Sequence, residues 1–280
     1  MSSIIERIKS NAFLFKFGKI VNIILYDYIL DSFELLIIKL RKRGILSSKK
    51  FSPIKKLKNS HKGERCFIVA TGPSLTIDDL NKLKGEFVIG VNSIVKILDQ
   101  LEYLPQYIGI QDSLVYDKIG NLIETCNVKH IILTDKLYKT LKKPETGRYI
   151  QFPLYSCRHA IHGEMMPLSS GFSEDVSNIV YSGYSITYSM LQFAVYLGFT
   201  EIHLLGCDCS YDTTGGKQHF VESGHFDKYA DTVGERMIYA YTVADKWLKE
   251  NRPEVKVYNA TRGGMLEVFP RKTLDEVFGN

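Results

Sequence analysis

The chain has 280 residues, of which 45% are hydrophobic, 12% aromatic and 24% charged, with only 8 prolines. This length is enough to bury one sizeable core with an appendage, and this composition excludes an intrinsically disordered chain. Residues 1–58 carry 13 Lys and Arg against 4 Asp and Glu, so the whole basic excess lies in the first fifth of the chain. A protein that binds nucleic acid is expected to spread basic charge over its folded body, which argues against a nucleic-acid partner.

The cysteines are odd in number and follow no CxxC spacing: Cys66, Cys126, Cys157, Cys207 and Cys209. Reduced thiols are therefore favoured over a disulfide framework or a zinc site, which is typical of a protein of the cytoplasm. The N-terminal sequence MSSIIERIKS lacks the apolar stretch and the cleavage site of a signal peptide. Both features predict a cytoplasmic location.

The first predicted element is a helix within residues 19–38, KIVNIILYDYILDSFELLII. Asp27, Asp31 and Glu34 recur every three or four residues, which predicts one polar stripe on an otherwise apolar helix. The basic segment KLRKRG follows at once. Because three carboxylates are costly inside a bilayer, an amphipathic helix is favoured over a membrane span.

This arm has two interpretations. We expect residues 1–58 to dock on an anionic membrane surface, which would place the protein peripherally on the inner face of the membrane. The alternative is a helix that packs on the main domain or on a second subunit, as in a homo-oligomer. Residues 44–62 are polar, basic and poor in periodicity, which is typical of a linker. The expected division is thus an arm and linker over residues 1–62 and a folded domain over residues 63–280.

From residue 64 onward, short β-branched runs alternate with helical stretches. Strands are predicted at residues 66–70, 87–91, 107–111, 130–134, 201–206 and 255–259. Helices are predicted at residues 76–84, 93–101, 115–124, 185–197 and 226–250. This alternation predicts an α/β, Rossmann-like fold with a mostly parallel sheet and helices on both faces. Ligands of such sheets bind at the carboxyl ends of the strands, so the residues after each strand are the candidate site.

The first strand ends in the turn Thr71-Gly72-Pro73-Ser74, just before a predicted helix. Gly72 allows close approach of a phosphate, and the hydroxyls of Thr71 and Ser74 would stand beside a positive helix end. The turn matches neither a Walker loop nor a GxGxxG fingerprint. A phosphate cradle and a tight turn with a helix cap both remain open at this point.

Polar side chains also follow the later strands: Asn92, Gln111, Asp112 and Asp208. The DxD spacing of metal-dependent sugar transferases is absent, so a site without metal is predicted. Ser182 and Gly183 precede a long helix whose start could bind an anion, or be capped by Ser185 or Thr187. Asn259 opens the turn NATRGG after the last strand, in which Arg262 could pair with a phosphate or carboxylate.

A Gly-rich loop, TTGGKQHFVESGHF, follows Asp212 and contains His219 and His225. An unperturbed imidazole titrates near neutral pH, so either histidine is a candidate general acid or base. A loop histidine with no role in catalysis is the alternative, because no partner for either ring is visible from the sequence.

Several motifs together resemble a known group of enzymes. GPSL after the first strand, NS after the second, YLGFTEIHLLGCD and the closing NATRGGMLEVFPR resemble bacterial glycosyltransferase family 42 sialyltransferases. They also resemble the wider superfamily that includes flagellar Maf glycosyltransferases and the archaeal 6-hydroxymethylpterin diphosphokinase. The resemblance covers roughly residues 64–275.

The resemblance implies a site for a nucleotide, often CMP linked to an acidic sugar, that works without a metal or a further cofactor. It implies that Thr71, Gly72, Pro73 and Ser74 face the nucleotide phosphate. Asn92 and either Gln111 or Asp112 would hold the sugar or phosphate of the donor, and His219, with His225 as second candidate, would be the base.

The expected function is therefore transfer of an acidic sugar from a CMP-activated donor to a glycan or glycolipid acceptor during synthesis of a surface glycan. Two alternatives remain open. One is a diphosphokinase-like enzyme that moves pyrophosphate from ATP, which would require Mg²⁺ and converging Asp residues. The other is a catalytically silent scaffold of a glycan-assembly complex.

Overall fold

The computed structural model describes residues 14, 17–18, 20–21, 29–46, 49–142, 144, 147–156, 168–210, 220–221 and 230–279. The chain forms two compact units. One comprises residues 1–48 with 157–169, and the other comprises residues 49–156 with 170–280.

The larger unit is built on a seven-stranded sheet. Its strands are β1 Arg65–Val69, β2 Val88–Val91, β3 Tyr107–Ile110, β4 His130–Thr134, β5 Tyr149–Phe152, β8 Glu201–Leu205 and β9 Lys256–Asn259. Their order in the sheet is β5-β4-β3-β2-β1-β8-β9, and all neighbouring strands pair in parallel. A separate parallel pair consists of β6 Leu154–Tyr155 and β7 Val180–Tyr181. The predicted α/β fold with a parallel sheet is confirmed.

The helices of the larger unit connect these strands. They are Ser52–Lys55, Ile77–Asn81, Ser113–Thr125, Asp135–Tyr138, Ile186–Leu197, Ala230–Asn251 and Leu274–Phe278, with 3₁₀ helices at Lys49–Phe51 and Asn92–Gln100. The Ile186–Leu197 helix has no exposed residue and packs on β1, β2 and β3. It begins at the Ser185 cap and ends at Gly198, whose φ of 99° is the left-handed conformation that stops a helix.

Both faces of the sheet are covered, as predicted for a doubly wound fold. Side chains of successive strand residues point to opposite faces. In β1, Cys66 and Ile68 belong to one buried cluster, whereas Phe67 and Val69 belong to another. This explains why the strand reads as an unbroken apolar run without polar alternation.

Residues 49–62, expected to belong to a linker, fold into the larger unit. Phe51 and Ile54 are buried, at 1% and 0% exposure. The backbone N–H of His61 donates to the carbonyl of Leu197 at 2.8 Å, and the His61 ring stacks on Phe199. Two apolar side chains among many lysines were too few to register as a periodic pattern, yet they are enough to bury this segment.

In the smaller unit, the described helix is Asp31–Lys42. Asp31 is buried, as is Ile38, whereas Phe33 and Leu36 are 62% and 50% exposed. Of the three carboxylates of the predicted polar stripe, Asp31 and Glu34 lie on this helix, and Asp27 lies outside the described residues. None of the helices in the described ranges has both the length and the hydropathy required to cross a bilayer.

Candidate functional site

The main candidate site is a pocket at the carboxyl ends of β1, β2, β3 and β8. The chain order of the sheet reverses at β1, which has β2 on one side and β8 on the other, so this is the topological switch point where α/β sheets bind ligands. The pocket is lined by Ala70, Thr71, Gly72, Val91, Asn92, Ser93, Gln111, Asp112, Val115, Tyr184, Ser185, Ile186, Thr187, Gly206, Cys207, Asp208, Cys209, Ser210, Met237 and Tyr241. We call it the switch-point pocket.

Backbone strain is concentrated at this pocket. Among the described residues, four non-glycine residues have positive φ, and three of them line the switch-point pocket: Asn92 at 47°, Tyr184 at 63° and Cys209 at 50°. A positive φ at a non-glycine residue costs free energy. Such a conformation is retained where the surrounding structure requires it, most often at functional sites. The strain therefore supports this pocket as the candidate functional site.

The turn after β1 brings a carboxylate into the pocket wall. The backbone N–H of Gly72 donates to the carbonyl of Gly206 at 2.8 Å. A Cβ at position 72 would lie 1.8 Å from Oδ2 of Asp208 and 2.4 Å from the Gly206 carbonyl oxygen. Glycine is thus required here because the Asp208 carboxylate approaches the backbone closely.

Asp208 is held by the same turn. Its side chain is 7% exposed, and its Oδ2 accepts a hydrogen bond from Ser74 Oγ at 2.9 Å. Burial raises the pKa of the Asp208 carboxyl above its ordinary value, and the hydrogen bonds from Ser74 partly offset this shift. Ser74, predicted to face a phosphate, here orients Asp208.

The ends of β2 and β3 supply two side-chain amides and a second carboxylate. Within the described structure, Asn92 Oδ1 is buried and has no hydrogen-bond partner. Gln111 accepts from Ser189 Oγ at 2.7 Å through its Oε1. Asp112 Oδ1 accepts from the backbone N–H of Leu114 at 2.7 Å, so it caps the following helix while lining the pocket.

The start of the Ile186–Leu197 helix forms another wall. Ser185 accepts from the Thr187 N–H at 3.2 Å and caps the helix. Ser182 and Gly183 lie outside the lining of the pocket: the carbonyl of Ser182 accepts from the Ser185 N–H at 3.0 Å, and Gly183 has a φ of 50°. These two residues shape the turn that places Tyr184, Ser185 and Thr187 in the wall of the pocket.

The NATRGG turn lies beside a different cavity, which Ser74, Asn259 and Arg262 line. Asn259 is 1% exposed and ties the turn together, donating to the Leu266 carbonyl at 2.7 Å and accepting from the Thr261 N–H at 3.0 Å. Arg262 bonds Asp79 and the carbonyl of Ser74. The turn thus stabilises the loop after β1 through these bonds. Pro73 lines neither cavity.

His219 and His225 lie outside the described residues. Of the described residues on either side of the segment 211–219, Ser210 lines the switch-point pocket, and the Phe220 N–H donates to the carbonyl of Thr71, a lining residue, at 2.7 Å. In the described part of the chain, no three His, Cys, Asp or Glu side chains are arranged to hold a metal ion.

Several lining residues were not predicted as site residues. Ser93, Tyr184 and Tyr241 contribute polar groups, and two buried thiols come from Cys207 and Cys209. Burial raises the pKa of both thiols, that of Cys209 to about 12, so they are poor nucleophiles at neutral pH. The dipeptide NS after β2 was a signal for Ser93, whereas Tyr241 lies in a distant helix that only the fold brings to the pocket.

Fold and site together define a Rossmann-like α/β protein with its ligand pocket at the switch point of the sheet. The chain belongs to the 6-hydroxymethylpterin diphosphokinase MptE-like family, whose model matches residues 45–214. The resemblance to this part of the superfamily, predicted from the GPSL, NS and LLGCD motifs, is confirmed. No curated protein matches the chain.

Two solved structures of glycosyltransferases are also similar to this chain. The Maf glycosyltransferase from Magnetospirillum magneticum AMB-1 is 15% identical, with a TM-score of 0.48 over 82% of this chain and 40% of that protein. The sialyltransferase CstII from Campylobacter jejuni, in complex with a substrate analogue, cytidine-5'-monophosphate, is 14% identical, with a TM-score of 0.44 over 75% and 85%. The chain thus spans less than half of the length of the Maf protein.

Proposed function

We propose that the protein is a glycosyltransferase that moves a sugar from a nucleotide-activated donor, CMP linked to an acidic sugar, to a glycan or glycolipid acceptor. The observation that carries this proposal is the wall of the switch-point pocket. There two carboxylates, Asp112 and Asp208, stand beside two amides, Asn92 and Gln111, and several hydroxyls.

This wall suits a ligand that is rich in hydroxyls and modest in charge. Carboxylates and amides pair with the hydroxyls of a ribose or a hexose, whereas hydroxyls and backbone N–H groups accommodate a phosphate oxygen. A triphosphate beside Asp112 and Asp208 would meet like charge and would need cations to offset it. A nucleoside monophosphate leaving group carries less charge, so it fits this wall better.

The reaction would proceed by direct displacement of the nucleotide. The acceptor hydroxyl loses its proton to a base and its oxygen bonds the anomeric carbon of the donor. The bond between that carbon and the phosphate oxygen breaks, and the electron pair leaves with the nucleotide monophosphate. Hydrogen-bond donors fixed on the pocket wall would stabilise the leaving phosphate, because these groups need no reorganisation as the negative charge of the phosphate develops.

The proposed base is His219, with His225 as second candidate. Support for His219 comes from its described neighbours in the chain, because Ser210 lines the pocket and the Phe220 N–H donates to the carbonyl of Thr71, a lining residue. A positioned imidazole contributes about 100- to 10,000-fold to such a proton transfer. In this scheme neither a metal nor a cofactor other than the donor takes part.

The experiment is turnover of CMP-linked acidic sugars, followed as release of CMP. We expect the full chain to release CMP, and H219A to lower the turnover about 100-fold or more while CMP still binds. H225A is the matched control within the same loop. Full turnover by H219A with loss in H225A would reassign the base, and full turnover in both would refute a histidine base.

The acceptor would be reached at a membrane surface. Phe33 and Leu36 are exposed on the Asp31–Lys42 helix, whose last turn carries Lys39, Arg41 and Lys42. Apolar side chains beside basic ones are the pattern of a helix that lies on an anionic bilayer. Sedimentation with anionic vesicles, and its loss at high salt or after deletion of residues 1–48, would support a peripheral position on the inner face. Binding that survives the deletion would contradict it.

A second candidate function is pyrophosphoryl transfer from ATP, favoured by the family match. Asp112 and Asp208 would then have to act together with Mg²⁺. Tight ATP binding that depends on magnesium, with no binding of CMP, would favour this candidate. A folded protein that binds neither nucleotide would favour the silent scaffold.

A further inference from the structure

One buried hydroxyl behind the pocket has no role in the reaction described above. Ser189 is 0% exposed and lies in the Ile186–Leu197 helix, all of whose residues are buried. A serine inside a helix usually bonds the carbonyl one turn earlier. Ser189 Oγ instead lies 2.7 Å from Gln111 Oε1, 78 positions away in the chain. Its location is thus explained by Gln111, a lining residue of the switch-point pocket.

Two distances decide which end of the Gln111 amide faces the ligand. A separation of 2.7 Å is typical of an O–H···O bond, whereas N–H···O bonds are most often about 2.9 to 3.0 Å. If the amide were reversed, Ser189 would have to donate to the Tyr181 carbonyl, which is 3.4 Å away and already accepts from Gln192 Nε2 at 2.8 Å. The carbonyl oxygen of Gln111 therefore points at Ser189, and its NH₂ group is left on the side of the pocket.

We infer that Ser189 is a positioning residue that orients Gln111 so that its Nε2 donates a hydrogen bond to an anionic oxygen of the ligand. Within the described structure this NH₂ group has no hydrogen-bond partner of its own, and Gln111 is only partly buried. The oxygen belongs to the phosphate of the nucleotide or to the carboxylate of the acidic sugar. This inference rests on the proposed function and adds the residue that fixes the direction of one contact.

The test is a double-mutant cycle on the full chain with S189A, Q111A and the double variant, read by calorimetry as the affinity for CMP and for an intact CMP-linked acidic sugar. Each single variant should weaken binding of at least one of these two ligands about three- to tenfold, the range expected for one hydrogen bond. S189A should add nothing in the Q111A background, because Ser189 acts only through Gln111. Additive losses, or an S189A affinity equal to that of the parent protein for both ligands, would overturn the inference.

A matched control separates this role from general packing. Ser173 is also buried, at 3% exposure, and its hydroxyl accepts from the Asp175 N–H at 3.1 Å, away from the pocket. S173A should keep its CMP affinity. S189A should remain folded, because the Tyr181 carbonyl keeps its bond to Gln192.

The two sources of the anionic oxygen give different results. A loss in S189A with CMP alone assigns the phosphate, and a loss seen only with the intact CMP-linked acidic sugar assigns the carboxylate. If no nucleotide binds to the parent protein, the proposed function fails. The orienting role is then decided by ¹⁵N relaxation of the Gln111 side-chain amide, which should be rigid in the parent and mobile in S189A. Equal mobility in both would refute it.

Discussion

Gly72→Ala is expected to damage both the fold and the switch-point pocket. The new Cβ would lie 1.8 Å from Asp208 Oδ2 and 2.4 Å from the Gly206 carbonyl oxygen, and the latter belongs to backbone that cannot turn away. Overpacking of this kind costs about 1 to 3 kcal/mol, and displacement of the carboxylate also weakens its bond from Ser74, worth about 1.5 to 3 kcal/mol for a charged acceptor. With partial relaxation, we expect a loss of about 2 to 4 kcal/mol in the free energy of unfolding.

Urea denaturation of the parent protein and of Gly72→Ala measures this loss, as a lower midpoint with an unchanged slope. CMP affinity measured on the folded variant should fall as well, because Asp208 leaves its place in the wall. Gly18→Ala is the control: like Gly72, Gly18 does not have a positive φ, and its Cβ would meet nothing within 4 Å. A Gly72→Ala protein as stable as Gly18→Ala, with full CMP affinity, would refute the close approach of Asp208.

Two further predictions concern the segment before the sheet and a buried imidazole. Deletion of residues 1–48 should leave a folded protein. Deletion of residues 1–62 should lower the free energy of unfolding by several kcal/mol, because it also removes the buried Phe51 and Ile54. Urea midpoints compare the two proteins, and equal midpoints would support a linker at residues 49–62. His203 is fully buried, and burial lowers its pKa. Below about pH 6.5 the unfolded state therefore binds a proton at His203 that the folded state does not bind, so the free energy of unfolding decreases as the pH falls. His203→Phe should keep the stacking on Phe67 and lose less stability between pH 7 and pH 5, as measured by urea unfolding at each pH; the same loss in both proteins would contradict this.

The sheet could be predicted because its central strands are buried on both faces. All six predicted strands are present. An unbroken apolar run such as CFIVA is typical of a parallel strand that is buried on both faces. β5, with sequence YIQF, was missed because it is short and contains a polar residue, and β6 and β7 have two residues each. The buried segment at residues 49–62 was missed because its lysines outnumber its two core residues.

The site could be predicted in part. Residues that directly follow parallel strands must meet at one edge of the sheet, and Thr71, Asn92, Gln111 and Asp208 do line one pocket. The roles of Ser74, Asn259 and Ser189 depend on contacts between residues far apart in the chain, which no local pattern encodes. Ser74 Oγ donates to Asp208, and Asn259 Nδ2 donates to the Leu266 carbonyl.

The switch-point pocket is proposed to bind a cytidine monophosphate unit. Calorimetric titration of the full chain with CMP, CDP, UDP and ATP, each with and without Mg²⁺, is the decisive measurement. We expect CMP to bind without magnesium and Gly72→Ala to weaken this binding. Binding of ATP alone, and only with magnesium, would contradict this proposal.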